Sequence, residues 1–493
     1  MGHTNMLPSL PSPVYKLREI GNNDNRETPE LRRTTIMVEK KGGRVVVIPF
    51  PAQGHVNPLM HISKGLAKQG IKITMINTHF IHSKLLAAMG QNMDQILGPN
   101  VELLGLPDGF PLHENRDDIH KLFVDTMNNL KPQFEKLLAK MNTEQDGGLA
   151  CAIVDMSMGW VLEIAASLGV KGAIFTPFTA AHSVLNLSLN ELIESGIMTP
   201  EGIPVEEKTI ELESLGTPSM IHTSDLPWRR VPFKNSQKIL FDHLVRVQRG
   251  CHYAKWYILI APHVLEPQVV SLNPKLLTIG PLIATEAGQL WKEDDSCIHW
   301  LDQQPAGSVV YMGFGSSTAF SREQFEEIAM GMELTERPFL WVVRQGTEHQ
   351  LPAGFKGKKG KIVSWVSQQK VLNHPSVGVF MSHCGWNSVI EGVSSGLPFV
   401  CWPYVGDHFL NMKYVTEIWK VGIGFEREVN GVVSRWEIKK KVELVAGNEE
   451  TKGRSRALAE DIGRCWEGAD APSALNFARL VRWAKQGDDD DDD

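Results

Sequence analysis

The stretch from Trp365 to His408 carries the densest set of side chains able to hold a ligand, with His383, Asn387, Ser388, Gln368, Glu391 and Asp407 set among glycines and tryptophans. Its core, His383-Cys384-Gly385-Trp386-Asn387-Ser388, lies between a β-type run, Val377–Met381, and a helix-patterned run, Asn387–Val393. Glycine at 385 lets a backbone approach a ligand closely, and Asn387 and Ser388 are residue types that cap a helix. A strand end feeding a helix N-terminus presents unpaired N–H groups and the positive end of the helix dipole. The chemistry this predicts is phosphate binding.

The elements that must position such a site are legible as alternating strands and helices. Arg44–Phe50 reads as a buried strand, followed by the loop Pro51–Asn57, a helix Pro58–Lys68 started by Asn57 and Pro58, and a strand Ile71–Asn77. His55 sits in that first loop. Leu149–Val154 is another strand, ended by Asp155 and followed by a helix Val161–Leu168 and a strand Val170–Thr176. If both strands belong to one parallel sheet, His55 and Asp155 share its carboxyl rim, the edge at which open sheets bind ligands. After an irregular region with prolines from 200 to 232 and a helical pattern resuming near Gln237, a strand-like run Trp256–Ala261 closes the first half, and a second β/α series begins at Val309–Met312. Gly313–Ser317, a capping box Ser321/Gln324, and strands at Phe339–Arg344, Ile362–Trp365, Val377–Met381 and Leu397–Trp402 continue it.

The expected fold class is α/β, with two facing Rossmann-like halves and a cleft between them. Residues 1–41 read as a flexible extension, 42–266 as the first domain, 267–296 as a linker and 297–466 as the second domain. Residues 467–487 read as a helix returning to the first domain, and 488–493 as an acidic, solvated tail.

Bulk properties exclude several functions. A chain of 493 residues exceeds a single ordinary core. The formal charge is −7, of which Asp488–Asp493 supply six, leaving −1 for the rest, so no basic footprint points to nucleic acid. Six cysteines without a CxxC pair fit a reducing, cytoplasmic setting and neither a disulfide framework nor a zinc site. No run of about 18 apolar residues predicts membrane insertion. A monomer is expected.

The box W-x-x-Q, H-P, H-C-G-W-N-S, E, P-x-x-x-x-P and D across Trp365–His408 resembles the signature of plant family-one UDP-sugar glycosyltransferases. F-P-A-Q-G-H-V-N-P at Phe50–Pro58 resembles their catalytic-histidine loop, and Asp155, Phe314-Gly315-Ser316 and Ile279–Leu282 fall at corresponding places. The resemblance implies a GT-B fold and transfer, with inversion, of a hexose from a UDP-sugar to a hydroxyl of a small lipophilic acceptor such as a phenolic, flavonoid or terpenoid. It implies no cofactor and no metal, the UDP-sugar being a co-substrate.

On that resemblance His55 is the general base, since an imidazole ordinarily titrates near neutrality, and Asp155 orients and stabilises it. Taken alone, a loop histidine is more often a solvated bystander; an aspartate there can also cap a helix, and both readings of Asp155 can hold together. Trp365 offers a face for uracil, Val366 is a further candidate for donor binding, and Gln368 and Glu391 match base-and-ribose contacts. Core packing and a surface charge are their plainer readings. Ser316, His383, Gly385, Asn387 and Ser388 would cradle the phosphates. Trp386, Asp407 and His408 match the positions that meet the sugar.

His408 stands where glucose-using members commonly have glutamine, which leaves UDP-galactose open. Gly54, Trp160, Phe178 and the region His222–Trp228 are candidate acceptor walls. The alternatives are a C- or N-glycosyltransferase and a nucleotide-sugar-binding protein without catalysis. A dinucleotide oxidoreductase would want G-x-G-x-x-G after the first strand, and the chain has P-A-Q-G-H.

Overall fold

The computed structural model describes residues 43–485 apart from 91–92, 115, 117, 119, 145–146, 217–220, 232–233, 282–295, 317, 344–350, 353–354 and 356. The proposed extension 1–41, the acidic tail 488–493 and residues 282–295 of the proposed linker lie outside the described residues, as does Ser317.

β-branched runs buried on both faces form two all-parallel sheets. The first comprises β1 (Arg44–Ile48), β2 (Ile73–Thr78), β3 (Val101–Leu106), β4 (Leu149–Asp155), β5 (Lys171–Thr176), β6 (Ala254–Leu259) and β7 (Leu276–Thr278), in the order β3-β2-β1-β4-β5-β6-β7. The second comprises β8 (Val309–Gly313), β9 (Phe339–Val342), β10 (Gly360–Val363), β11 (Val377–Ser382), β12 (Phe399–Cys401) and β13 (Gly422–Gly424), in the order β10-β9-β8-β11-β12-β13. Each order reverses direction once, between β1 and β4 and between β8 and β11. Crevices at such switch points are where open α/β sheets take ligands.

Alternation along β1 sends Val45 and Val47 into one apolar cluster and Val46 and Ile48 into another. The first cluster continues into the second half through Val309, Tyr311 and Phe380. The C-terminal helix Pro472–Lys485 packs on the first sheet, with Leu480 and Trp483 in that cluster and Asn476 Nδ2 donating to Thr278 O at 3.1 Å.

The structure differs from the sequence reading in two places that matter for the site. Residues 267–278, assigned to the linker, form a helix, Pro267–Leu272, and β7, because Leu276 and Leu277 are buried and pair with β6. The helix expected from Pro58 begins at Gln53, so Pro58 is internal and His55 lies in the first helical turn rather than in a loop.

Candidate active site

β1 ends at Ile48, and the chain turns into the helix Gln53–Lys68 beside the end of its partner β4. That places His55 Nδ1 2.8 Å from Asp155 Oδ2. Asp155 is fully buried, and its other oxygen accepts the Ser157 amide at 2.8 Å, capping the turn Met156–Met158. Imidazole partner and cap are both realised, one oxygen each. With Nδ1–H given to the carboxylate, the lone pair of the His55 ring is on Nε2. The ring stays 17% exposed and lines a cleft of about 390 Å³ between the halves. Gly54 and Phe178 line it too, Phe178 edge-on to His55 with ring centroids 5.9 Å apart.

On the opposite wall β11 leads through His383 to the helix Trp386–Ser394, whose first residues line the cleft. The expected capping by Asn387 and Ser388 does not occur. Gly385 is the N-cap residue, so both side chains fall inside the first turn and are free to reach elsewhere. Asn387 Nδ2 donates to Gly54 O at 2.6 Å, joining the two walls. That carbonyl is available because Pro58, four residues on in its helix, has no N–H to bond it.

Gln368 Nε2 donates to Ser388 Oγ at 2.8 Å and to Glu391 Oε2 at 2.6 Å, while Tyr311 donates to Gln368 Oε1 at 3.1 Å. Burial pushes the Glu391 carboxyl up to about 7, against the pull of the Gln368 amide. His383 donates Nδ1–H to Gly313 O at 3.3 Å, and burial pushes its pKa down to about 4, so it is neutral. Its Nε2 would lie 2.5 Å from a Cβ at position 315 or 385, and Gly315 also has φ +70. A side chain at either position would have to displace the His383 ring, and at 315 the positive φ favours glycine as well. Ser316, Trp365 and Val366 line the cleft between these elements.

At the far end Asp407 is pushed up to about 6 by burial, opposed by the Asn411 amide at 2.7 Å and by His55 across the cleft. His408 Nδ1 accepts from the amides of Tyr404 and Val405, each at 3.4 Å, which leaves the proton on Nε2. Burial, with His383 4.8 Å away between ring centroids, holds its pKa well below the ordinary value. Trp386 lines the cleft but is nearly buried, its ring centroid 6.3 Å from that of Trp419. Among the described lining residues none is Lys or Arg. Among the described residues no group of three or more His, Cys, Asp or Glu could hold a metal ion, and no helix is long and apolar enough to cross a membrane.

Trp160 is a correction. It does not line the cleft but is buried edge-on against Phe134, centroids 5.8 Å apart, within an apolar cluster of the first half. Trp228 is likewise core, donating Nε1–H to Gly202 O at 2.8 Å. Sequence reasoning missed Tyr311 and Asn411. The first was legible from the alternation of β8, and the second from its position four residues after Asp407 on a helix.

The family model described as UDP-glucoronosyl and UDP-glucosyl transferase matches residues 243–446, and one described as Glycosyltransferase, N-terminal domain, matches 43–95. UDP-glycosyltransferase 83A1 of Arabidopsis thaliana is 37% identical over 461 residues, covering 90% of this chain and 98% of the relative. Linamarin synthase 1 of Manihot esculenta is 34% identical, covering 78% and 85%. In structure the chain is similar to a UDP-glucose: anthocyanidin 3-O-glucosyltransferase in complex with UDP, at TM-score 0.74, 25% identity and coverage of 90% and 99%. Medicago truncatula UGT71G1 complexed with UDP-glucose shares the fold, at TM-score 0.76, 22% identity and coverage of 90% and 99%.

Proposed function

The chain belongs to the plant UDP-glycosyltransferases, enzymes of GT-B fold that transfer a sugar from a UDP-sugar, and from that premise we propose that it moves glucose to a hydroxyl of a small lipophilic acceptor. The acceptor class suggested by the relatives is a phenolic or another plant secondary metabolite, in keeping with names such as anthocyanidin 3-O-glucosyltransferase. The observation that carries the reading is the His55–Asp155 contact of 2.8 Å, facing the 386–394 helix N-terminus across one cleft.

The step balances without a further reactant. Nε2 of His55 takes the acceptor hydroxyl proton as that oxygen attacks the anomeric carbon from the face opposite UDP. The bond from that carbon to the β-phosphate oxygen breaks, UDP leaves with the electron pair, and configuration inverts. Asp155 stabilises the imidazolium. Backbone N–H groups at the helix start, with Ser316, His383, Asn387 and Ser388, are assigned to the phosphates. Trp365, Val366, Gln368 and Glu391 are assigned to uridine, and Trp386, Asp407 and His408 to the sugar.

Purified enzyme incubated with UDP-glucose and a phenolic panel should release UDP and yield a product heavier by one hexose. His55→Ala should lose that release while still binding UDP. Binding of UDP by wild type without turnover on any acceptor would favour a nucleotide-sugar-binding protein. UDP-galactose is the second reading, resting on His408, whose occupied Nδ1 leaves a single N–H donor toward the sugar. Parallel assays with both donors decide it, and an unchanged donor ratio in His408→Gln would remove His408 from the argument.

A further inference from the structure

The segment that follows the sugar end of the cleft belongs to the second half by sequence but is fastened to the first half. Leu410 and Tyr414 sit in the apolar cluster built on the first sheet, alongside Val46, Val154 and Leu259. Lys413 Nζ and Arg230 Nη2 each lie 2.5 Å from a different oxygen of Asp225. Burial raises the pKa of Asp225, but the two cations overcome that and hold it below the usual carboxylate range. The Arg230 guanidinium also covers the ring of Phe409 at 4.6 Å. Trp419 Nε1 donates to Leu265 O at 3.2 Å, and Tyr414 hydrogen-bonds Glu266, whose carboxylate accepts the amides of Ala180 and Ala181 at 2.6 and 3.0 Å.

The turn just before this segment is held from both sides. Inside it, His408 Nδ1 takes the amides of Tyr404 and Val405. Outside it, the next amide, Gly406 N–H, goes 2.8 Å to the carbonyl of Arg230 in the first half. Asp407 follows directly and is tied by Asn411, which also reaches Cys384 O at 2.9 Å in the phosphate-side turn. Neither Asp225, Arg230 nor Lys413 lines the cleft.

We infer that Asp225 and Arg230, on the acceptor half, are positioning residues that set the place of Asp407 and His408, so that the sugar end of the donor is read by a turn anchored on the opposite domain from the one holding the nucleotide. This rests on the reading that Asp407 and His408 meet the sugar. Its consequence is separable chemistry. Loosening the anchor displaces the sugar-reading side chains while leaving the uridine and phosphate walls in place. A displacement of about 1 Å at a reacting group costs up to roughly a hundredfold in rate.

The test compares Asp225→Ala, Asp225→Glu, Lys413→Met and Asp407→Asn with wild type, reading UDP affinity by calorimetry, Tm, and kcat and KM with UDP-glucose and UDP-galactose. We expect Asp225→Ala and Lys413→Met to bind UDP within about twofold of wild type, since Asp225 and Lys413 are outside the nucleotide wall. Their kcat/KM for the UDP-sugar should fall by about tenfold or more, with a shifted donor ratio, and Asp225→Glu should recover part of the loss. Unchanged kcat/KM and donor ratio in the two anchor variants would overturn the inference. So would a loss of UDP affinity, Tm and turnover in parallel, which marks a purely structural bridge. Should Asp225→Ala fail to fold, Lys413→Met breaks the same anchor from its other end and decides the question alone. If Asp407→Asn itself leaves sugar turnover intact, the underlying reading of the sugar site fails. If Asp407→Asn is impaired and the anchor variants are not, only the anchor fails.

Discussion

Replacing Asp155 by asparagine sets its two neighbours against each other. One carboxylate oxygen accepts His55 Nδ1–H and the other accepts the Ser157 amide, both at 2.8 Å. An amide has one oxygen, so it can satisfy only one of these donors as they stand. If its oxygen faces His55, its NH₂ confronts the fixed Ser157 N–H in a fully buried site, at a cost of about 1–3 kcal/mol. If its oxygen stays on Ser157, the imidazole adapts by moving its proton to Nε2 and accepting at Nδ1.

The second arrangement wins by that margin, so only about one molecule in 5 to 150 keeps a basic Nε2. The amide also cannot stabilise an imidazolium, which brings the expected fall in kcat to roughly 10²–10⁴-fold. Fold and donor binding should persist, with Tm little changed and UDP affinity within about twofold, because both hydrogen bonds survive in the shifted form. UDP release kinetics, thermal melts and titration calorimetry on the same preparation measure all three. A variant with kcat within twofold of wild type would refute the reasoning, as would one that keeps its activity but loses Tm.

Three further outcomes follow from single features of the cleft. Burial holds Glu391 near 7, and ribose hydroxyls donate best to its ionised form. As pH falls below about 7 UDP affinity should therefore weaken toward about tenfold per unit, level off above it, and lose this dependence in Glu391→Gln. Coincident wild-type and variant profiles in calorimetry from pH 5.5 to 8 would sink that assignment. Gly315→Ala forces a Cβ to within 2.5 Å of His383 Nε2 at φ +70, so UDP affinity should drop by at least tenfold, with a stability loss of about 1–3 kcal/mol read from Tm. Trp160→Phe changes core packing against Phe134 away from the cleft, so it should cost about 1 kcal/mol of stability and leave the ranking of acceptors unchanged. An altered ranking would return Trp160 to the acceptor wall.

Much of the frame was legible because parallel strands buried on both faces are written as β-branched runs, with Asp155 closing one such run and His55 following shortly after another. What escaped depended on distant partners. Asn57-Pro58 reads as a helix start, since proline is favoured at the first helical position. Here Pro58 is internal, and the Gly54 carbonyl it leaves free is taken by Asn387, 333 residues away. β7 has three residues, too few to show a period, and becomes a strand only beside β6. Ser321 caps the amide of Gln324 as its spacing predicts, but the Gln324 side chain bonds both N–H and C=O of Val433 instead of turning back. Trp160 has the residue type of an acceptor wall, and only its packing against the distant Phe134 takes it into the core.

The electrostatics of the cleft follow from the same distant contacts. Among the described lining residues no Lys or Arg stands ready for a diphosphate, and burial keeps His383 and His408 neutral while lifting Glu391 and Asp407 toward neutrality. On the proposed assignment, charge on the donor would be met by oriented dipoles, namely the amides at the start of the 386–394 helix and neutral side-chain donors. Such dipoles are fixed before the nucleotide arrives and need no reorganisation as UDP departs. They act at full strength only while water is excluded, and exclusion depends on the two walls staying together. The Asn387–Gly54 bond spans the cleft at the phosphate end, and the Gly406–Arg230 bond ties the halves beyond the sugar end. On the proposed reading, dipoles of this kind depend on contacts that hold the two halves together, and in this chain a helix-internal proline frees the carbonyl for one of them.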